Sequence, residues 1–421
     1  MTSLVLLIGT NPLPNYVVAE YLLSKNEELI NKIWLVHSEK RDVPTGTEEI
    51  AKRLEKVISQ KYPNILFEYC ALRDIGNAKS IATNVKETIL NCTECDNIHL
   101  NYTGGTKAMS VHVYRAIEQS DKFQEKIFSY LDARGFALKD DDKGVITNDL
   151  RKEISISLED LINLHGYKKK REEKNYYWLD ALEEFKKMIK QSLLGNFLDW
   201  KKDTLRKLYY ENDKFITKCA DIRKKLTDEE RSVPAEFLPL LQAIPKEHSI
   251  LDEIGSSLWI PDAATTNKAY EDRVKPSVKE FLDGKWLENY VLMILKEKTS
   301  HKTIPIECNW KLMKQDGGKN FELDVIVLNG YQVCGISCTT DTTEGLCKEK
   351  GFEVLHRVNQ IGGEEAKAVL ITCLVQDKVE RLEDDLRYET GGENKLIVLG
   401  IEDLKEEILW KKIGKHIWGG N

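Results

Sequence analysis

No apolar run in the 421-residue sequence approaches the roughly 20 residues that a membrane-spanning helix needs, so the expectation is a soluble chain with no membrane partner. The five-residue run Leu4 to Ile8 lacks the basic leader and longer apolar core of a secretory signal and reads instead as a first strand. Positive charge is not in excess: 62 lysines and arginines face 69 acidic residues, for a net charge of −7. That balance argues against a polybasic nucleic-acid coat and leaves nucleic-acid contact to local basic patches. Nine cysteines, odd in number and scattered, fit reduced thiols in a cytoplasm. Cys92 and Cys95 form one CxxC, but no second pair stands at zinc-ribbon spacing. The phosphate loop of ATPases is also missing, because it needs Gly-Lys-Ser/Thr with another glycine five residues earlier, and here Thr106 separates Gly105 from Lys107.

What is present instead is residues 98 to 109, Ile-His-Leu-Asn-Tyr-Thr-Gly-Gly-Thr-Lys-Ala-Met. Ile98 and Leu100 give strand character, and Gly104 and Gly105 let the backbone take positive φ and approach a ligand closely. Asn101, Thr103 and Thr106 supply polar groups, Lys107 a charge, and Ala108 to Ile117 a helix whose free amides face the same spot. The pattern predicts an anion site, with Met109 as packing; an ordinary strand-to-helix turn is the plain alternative. A second polar turn, Gly9-Thr10-Asn11-Pro12-Leu13-Pro14-Asn15, follows the first strand and precedes a helix from about Tyr16 to Leu23. In an open α/β sheet two such turns line one crevice.

Two or three domains are expected from the length. To about residue 166, strands at Leu4–Ile8, Ile33–His37, Leu66–Cys70, Ile98–Tyr102 and Ile127–Leu131 alternate with helical segments at Thr47–Gln60 and Asn77–Leu90, which predicts a mostly parallel sheet covered on both faces. Phe128 to Lys139 reads as a closing hairpin and Ile156 to His165 as a short helix. Residues 167–275 open with Lys168-Lys169-Lys170-Arg171 and carry long helical periodicity from Trp178 through Phe197, with Pro234, Pro239, Pro245 and Pro261 marking loops. This middle segment reads as a helical connector; the functional alternative is a nucleic-acid-facing module in which Tyr176, Tyr177 and Trp178 stack bases. Residues 276–421 give a helix after Phe281–Glu288, a hairpin at Phe321–Leu328 and Tyr331–Cys338 around Asn329-Gly330, and then helix, strand, helix, strand.

The turns at Gly9–Asn15 and Asn101–Met109 resemble those of the CARF family, the CRISPR-associated Rossmann-like sensors of cyclic oligoadenylate. The C-terminal order of helix, hairpin, helix and strand is similar to the PD-(D/E)xK nuclease fold, and the whole resembles the branch in which a CARF domain is joined to a restriction-endonuclease-like domain. The resemblance covers both ends of the chain and not its middle. It implies an α/β protein with a Rossmann-like CARF domain, a helical middle segment and a C-terminal restriction-endonuclease-like domain. It further implies a cytoplasmic homodimer whose CARF domains share a two-fold symmetric ring, cyclic tetra-adenylate, through Thr10, Asn11, Pro12, Leu13, Asn101, Thr103, Gly104, Gly105, Thr106 and Lys107. His37 is a less certain neighbour, equally a plain strand-end residue.

A nuclease of that class needs carboxylates to fix Mg²⁺ or Mn²⁺ and a lysine near the attacking water. Glu288 matches the family's helix carboxylate and Asp324 its first-strand carboxylate, but Ser337 and Thr339 stand where the acid and lysine belong. Two readings stay open. In one, chemistry survives with Glu322 as a further metal ligand beside Glu288 and Asp324, Asp341 or Glu344 contributing from the next turn, and Lys348 or Lys350 replacing the lysine. The protein is then a ligand-activated nuclease acting on single-stranded DNA or RNA. In the other, a degenerate domain only binds nucleic acid or scaffolds a dimer. A third possibility is that the CARF domain cleaves its own ring ligand, with Lys107, Thr103 or Thr106 positioning the 2′-hydroxyl.

Overall fold

The computed structural model describes residues 1–26, 29–39, 46–91, 96–170, 176–225, 231–301, 303–315, 317–318, 320–391 and 394–419; Cys92, Cys95 and Arg171 lie outside them. The first sheet holds seven strands: β1 (Thr2–Leu7), β2 (Ile30–Ser38), β3 (Leu66–Leu72), β4 (Asn97–Asn101), β5 (Glu125–Asp132), β6 (Ala137–Asp140) and β7 (Gly144–Val145), in the order β3-β2-β1-β4-β5-β6-β7. The strands from β3 to β5 pair in parallel, and β6 folds back on β5 as the expected hairpin. All of β1 is buried, and its alternate residues serve different layers. Leu4 and Leu6 join the core under helices α1 (Leu13–Lys25) and α2 (Glu48–Lys61). Val5 and Leu7 join the core under α3 (Ala78–Val85, continued by a π-helical turn to Leu90) and α4 (Lys107–Glu118). That two-sided burial is why the strand reads as a continuous apolar run.

The second sheet begins immediately after α5 (Leu158–Leu164) with β8 (Tyr167–Lys169). Beyond β8, the middle segment adds a two-stranded ribbon, β9 (Tyr210–Glu211) and β10 (Lys214–Phe215). Strands β11 (Ile306–Lys314), β12 (Phe321–Asn329), β13 (Gln332–Cys338), β14 (Lys367–Ile371) and β15 (Leu396–Leu399) then give the order β15-β14-β13-β12-β11-β8. The β12–β13 hairpin turns at Gly330 and Tyr331, and Gly330 takes φ +64°. A side chain on Gly330 would also meet the Arg151 carbonyl of the first unit at 2.3 Å, so that turn needs glycine twice over. One apolar cluster runs from Leu4 and Leu6 through Tyr167 to Leu328 and Tyr331, so the two sheets share a continuous core.

The periodicity from Trp178 to Phe197 resolves into two helices, α6 (Leu179–Lys190) and α7 (Leu194–Trp200), because Ser192 takes φ +61° between them. Short helices α8 (Lys207–Tyr209), α9 (Cys219–Lys225) and α10 (Leu238–Gln242) follow, then α11 (Asn267–Lys275). These helices pack on α12 (Trp286–Thr299) at the second sheet, where Phe185 stacks on Trp286 at 4.1 Å. Trp178 rests on Phe281 at 4.7 Å and on His248 at 5.7 Å, with Tyr176 beside both, so these rings are engaged inside the fold. Helices α13 (Glu344–Gly362), α14 (Gln376–Thr390) and α15 (Glu406–Trp418) complete the unit. No helix among the described residues is long and apolar enough to cross a membrane.

Candidate functional site

Strand β4 ends at Asn101, fully buried, whose amide donates to the Ser129 hydroxyl at 2.9 Å. Its oxygen accepts from the Thr103 backbone at 3.3 Å and the Thr103 hydroxyl at 2.7 Å, and that hydroxyl accepts from the Leu131 amide at 2.7 Å. Asn101 and Thr103 therefore pin the turn to β5, and the Thr103 proton is already committed. Gly104 lies against β1: a side chain there would stand 1.9 Å from the Leu7 carbonyl oxygen, so this glycine is required by packing before any ligand is considered. Gly105 takes φ +75°, the conformation the sequence predicts for this turn. Its amide abuts Gly9 closely enough that a side chain on Gly9 would meet it at 3.0 Å, and the two polar turns thus touch.

Thr106 caps α4 by accepting from the Met109 amide at 3.2 Å, which leaves its hydroxyl proton free to donate outward. Lys107 is exposed, and among the described residues no carboxylate pairs with it. Lys107, the Thr106 hydroxyl and the first amides of α4 form one electropositive rim. On the neighbouring turn Thr10 is exposed, whereas Pro12 and Leu13 are buried at the start of α1 and shape the backbone. Asn11 accepts from the Leu13 amide at 3.1 Å and faces His165 Nε2 at 3.1 Å; burial pushes the His165 ring down to about 4, so it is neutral. His37 is buried edge-on against Tyr69, at a strand end. Sequence reasoning passed over Asn15 as a site residue. It is fully buried, it donates to the Leu7 carbonyl at 3.1 Å, and its own oxygen lies beneath Gly104 without a partner among the described residues.

In the C-terminal unit Glu288 stands in the first turn of α12, and Glu322 and Asp324 share one face of β12. The lysine in their midst is Lys285, one helical turn before Glu288. Its ammonium lies 2.7 Å from Glu288, 2.5 Å from the Asn309 oxygen and 3.5 Å from Glu322. Burial alone would lower the Lys285 ammonium, yet Glu288, Glu322 and Asp324 together hold it above its ordinary value. Burial and the Asp324 charge push the Glu288 carboxyl up to about 8. Asp324 is raised by burial too, countered by the Cys338 amide at 2.7 Å and the Ser337 hydroxyl at 3.1 Å, both donating to one of its oxygens. Ser337 thus holds a carboxylate rather than replacing one.

The expected helix lysines lie elsewhere. Lys348 points to α14, where it pairs with Asp385 at 3.4 Å and Glu389 at 2.7 Å. Lys350 is exposed and pairs with Glu353 at 3.6 Å, acting on Asp324 only through its field. Thr339 accepts from the Asp341 amide at 3.2 Å; Asp341 accepts from the Thr343 amide, and Glu344 faces Lys378 and Arg381 of α14. Lys285 was legible only as part of the segment Phe281–Glu288; the signal that finds it is its spacing of three residues from Glu288. Carboxylate oxygens are the right donors for a hard divalent cation. Among the described residues, however, no three acidic, histidine or cysteine groups converge to hold one, and Lys285 supplies the positive charge between Glu288 and Glu322. A cavity of about 460 Å³ adjoins the cluster, walled by Lys201, Lys202 and Arg206 of the middle segment and by the Thr339–Thr343 loop. Asp283 anchors that wall, facing Lys201 at 3.6 Å and Arg206 at 3.5 Å and accepting from the Tyr210 hydroxyl.

No curated protein matches the sequence. Among solved structures, the chain is similar to protein VC1899 from Vibrio cholerae, with TM-score 0.68 and 16% identity over 100% of this chain and 99% of that one. It is also similar to Can2 from Sulfobacillus thermosulfidooxidans, solved in complex with cyclic tetra-adenylate, with TM-score 0.62 and 15% identity over 98% and 99% of the two chains. These likenesses extend over both sheets and the helices between them, and they concern the fold. Residues 3–167 match the family model described as the Card1 CARF domain, so the N-terminal unit is similar to that domain in sequence as well as in its Rossmann-like sheet.

Proposed function

We propose that the protein is a cyclic-oligoadenylate-controlled effector of type III CRISPR defence, acting in the cytoplasm as a homodimer. The observation that carries this reading is the match of residues 3–167 to the Card1 CARF domain together with an unpaired Lys107 on an electropositive turn at the strand ends. Cyclic tetra-adenylate, the ligand named with Can2, is the activator we assign. A two-fold ring suits a two-fold dimer, each protomer offering Lys107, the Thr106 hydroxyl and the α4 amides to phosphate. The plain contribution of Asn101, Thr103 and Gly104 is to hold that rim in place.

The second unit, in this reading a PD-(D/E)xK-like nuclease domain, cuts single-stranded DNA or RNA. For Mg²⁺ or Mn²⁺ to be held there, Glu288, Asp324 and Glu322 would have to draw together as the Lys285 ammonium moves from between them; the ion would then neutralise phosphate charge and activate water. Ser337 and the Cys338 amide fix the Asp324 carboxylate, and Lys285 sits where it can hold a proton or a phosphate oxygen at the cluster. Lys201, Lys202 and Arg206 offer the adjoining strand a basic wall. Substrate control follows if the ring binds two states of the dimer unequally.

A second reading, a ligand-controlled nucleic-acid binder with an inactive nuclease domain, is favoured by Ser337 and Thr339 standing in place of an acid and a lysine and by Lys285 filling the cation's position. Ring cleavage by the N-terminal unit would draw on Thr106 and Lys107, since the Thr103 proton is committed. Incubating the protein with labelled single strands, cyclic tetra-adenylate and Mn²⁺ decides between the first two. Strand cleavage that needs both additions is the expected result. Tight ring binding with intact DNA and RNA would replace the enzyme by the binder, and following the ring over time tests its own cleavage.

A further inference from the structure

Between the two units lies a cavity of about 250 Å³ that opens at the ligand turns, with Asn11, Leu13 and Thr103 on one wall and Phe136, Tyr331 and Glu365 on the other. It is smaller than the roughly 300–1,000 Å³ of a whole-ligand pocket and so suits one group of a larger molecule. Its lining is mostly apolar with polar groups at the edge, the environment of a flat heterocycle. We infer that this cavity seats one adenine base of the ring ligand, so that the C-terminal unit contributes to reading the ligand. The inference rests on the sensor reading above and adds to it a base-specific subsite made by both units.

Three features of the cavity bear on what it can hold. Phe136 takes φ +52°, a conformation that a bulky residue avoids, and the Arg151 guanidinium stacked 3.8 Å from its ring centre holds it. Tyr331 is buried, yet its hydroxyl has no partner among the described residues, a state that native interiors avoid. The Glu364 and Glu365 side chains, both on the cavity wall, accept no hydrogen bond among the described residues. Carboxylates can only accept, so they select a partner with a donor at its edge: the exocyclic amine of adenine qualifies, and unsubstituted purine, which has no donor at that edge, does not.

The position of Tyr331 gives the subsite its consequence. Tyr331 closes the β12–β13 turn, and β13 runs from Gln332 to Cys338, roughly 20 Å at 3.3 Å per residue, ending at the groups that hold Asp324. Gln332 at its near end is already tied to the first unit by Arg151 at 2.8 Å. A base entering the cavity therefore touches the strand that positions the carboxylate cluster.

Calorimetry on the full chain tests this with cyclic tetra-adenylate and the same ring carrying unsubstituted purine in place of adenine. The wild type is expected to bind the adenylate ring about 10-fold or more tightly, the loss typical of an unmatched charged hydrogen bond. Tyr331→Phe should weaken adenylate binding several-fold, and the Glu364→Gln/Glu365→Gln double variant should shrink the preference between rings. Lys107→Ala should weaken both rings alike, since it acts on phosphate. If wild type binds both rings equally, or the double variant keeps the full preference, the base subsite is wrong and the sensor reading stands. If neither ring binds, both fall. AMP binding with the same dependence on Glu365, without ring binding, would give the cavity to free nucleotide and overturn the ring assignment.

Discussion

Replacing Lys285 by methionine keeps the length of the side chain and removes the ammonium that faces both Glu288 and Glu322, leaving Lys311 on Glu322 alone. The Lys285 and Glu288 side chains are 26% and 11% exposed, and breaking a buried pair by deleting one partner costs about 3–5 kcal/mol. Here the cost at low pH should be smaller, because Glu288 can escape by taking a proton. Its carboxyl already lies near 8 against an ordinary 4.5, so the folded state holds that proton more tightly than the unfolded chain does. Wild-type stability consequently falls as pH rises from about 4.5 to about 8. Without the ammonium the window extends upward. Lys285→Met should cost about 1–3 kcal/mol at pH 6, the worth of its hydrogen bonds, and more at pH 9, where Glu288 must ionise alone. Urea unfolding at both pH values measures this, and Glu288→Gln in the same chain should recover most of the pH 9 loss without restoring ligand-stimulated cleavage. A deficit equal at both pH values, or no recovery in the double variant, would refute the coupling.

Gly104→Ala should destabilise the fold by about 1–3 kcal/mol with no ligand present, since its methyl would meet the Leu7 carbonyl oxygen at 1.9 Å; thermal melts of the free protein check it. Lys107→Ala should leave the melt unchanged and weaken cyclic tetra-adenylate binding by about 1.5–3 kcal/mol in calorimetry, as a charge-assisted contact to phosphate is lost. Asp324→Ala should abolish metal-dependent cleavage while sparing ring binding. Lys348→Ala should change cleavage and stability little, because it only breaks exposed ion pairs to Asp385 and Glu389. Loss of cleavage in Lys348→Ala with an intact fold would place that lysine back at the site.

The centre of the first unit's sheet was legible because β1, β2 and β4 are buried on both faces and therefore read as plain apolar runs. The β12–β13 hairpin was legible from Asn329-Gly330. Strand β8 was not, since Tyr167–Lys169 is a short edge segment with two exposed lysines, and its membership in the second sheet is set by pairing with Leu312 to Lys314, far along the chain. The helical periodicity read from Trp178 to Phe197 is broken at Ser192 for a local reason, a left-handed residue that periodicity cannot reveal. At the sites the residue types were visible and their commitments were not. Thr103, read as a ligand group, also pins the turn to β5, and Lys348, read as a migrated lysine, faces α14. Lys285 was overlooked because the search for a replacement ran forward from β13, whereas the helix turn before Glu288 brings it to the carboxylates.

The carboxylate cluster also bears on the choice between enzyme and binder. A domain kept only for its shape gains nothing from Glu288 and Asp324 on neighbouring elements, both with carboxyls raised by burial, where apolar side chains of similar size would be neutral or stabilising. Clusters that hold ionisable groups against their solvation preference mark functional sites more often than structural ones. In the proposed nuclease reading, Ser337 and Thr339 leave β13 without the acid and the lysine, one charge of each sign. Lys285 restores the positive one from the helix, and Glu322, on the face of β12 that carries Asp324, restores the negative one. In that reading Lys285, with Lys311 on the outer side of Glu322, keeps charges of both signs at the cluster although the positions differ, the pattern expected of a rearranged site rather than an abandoned one.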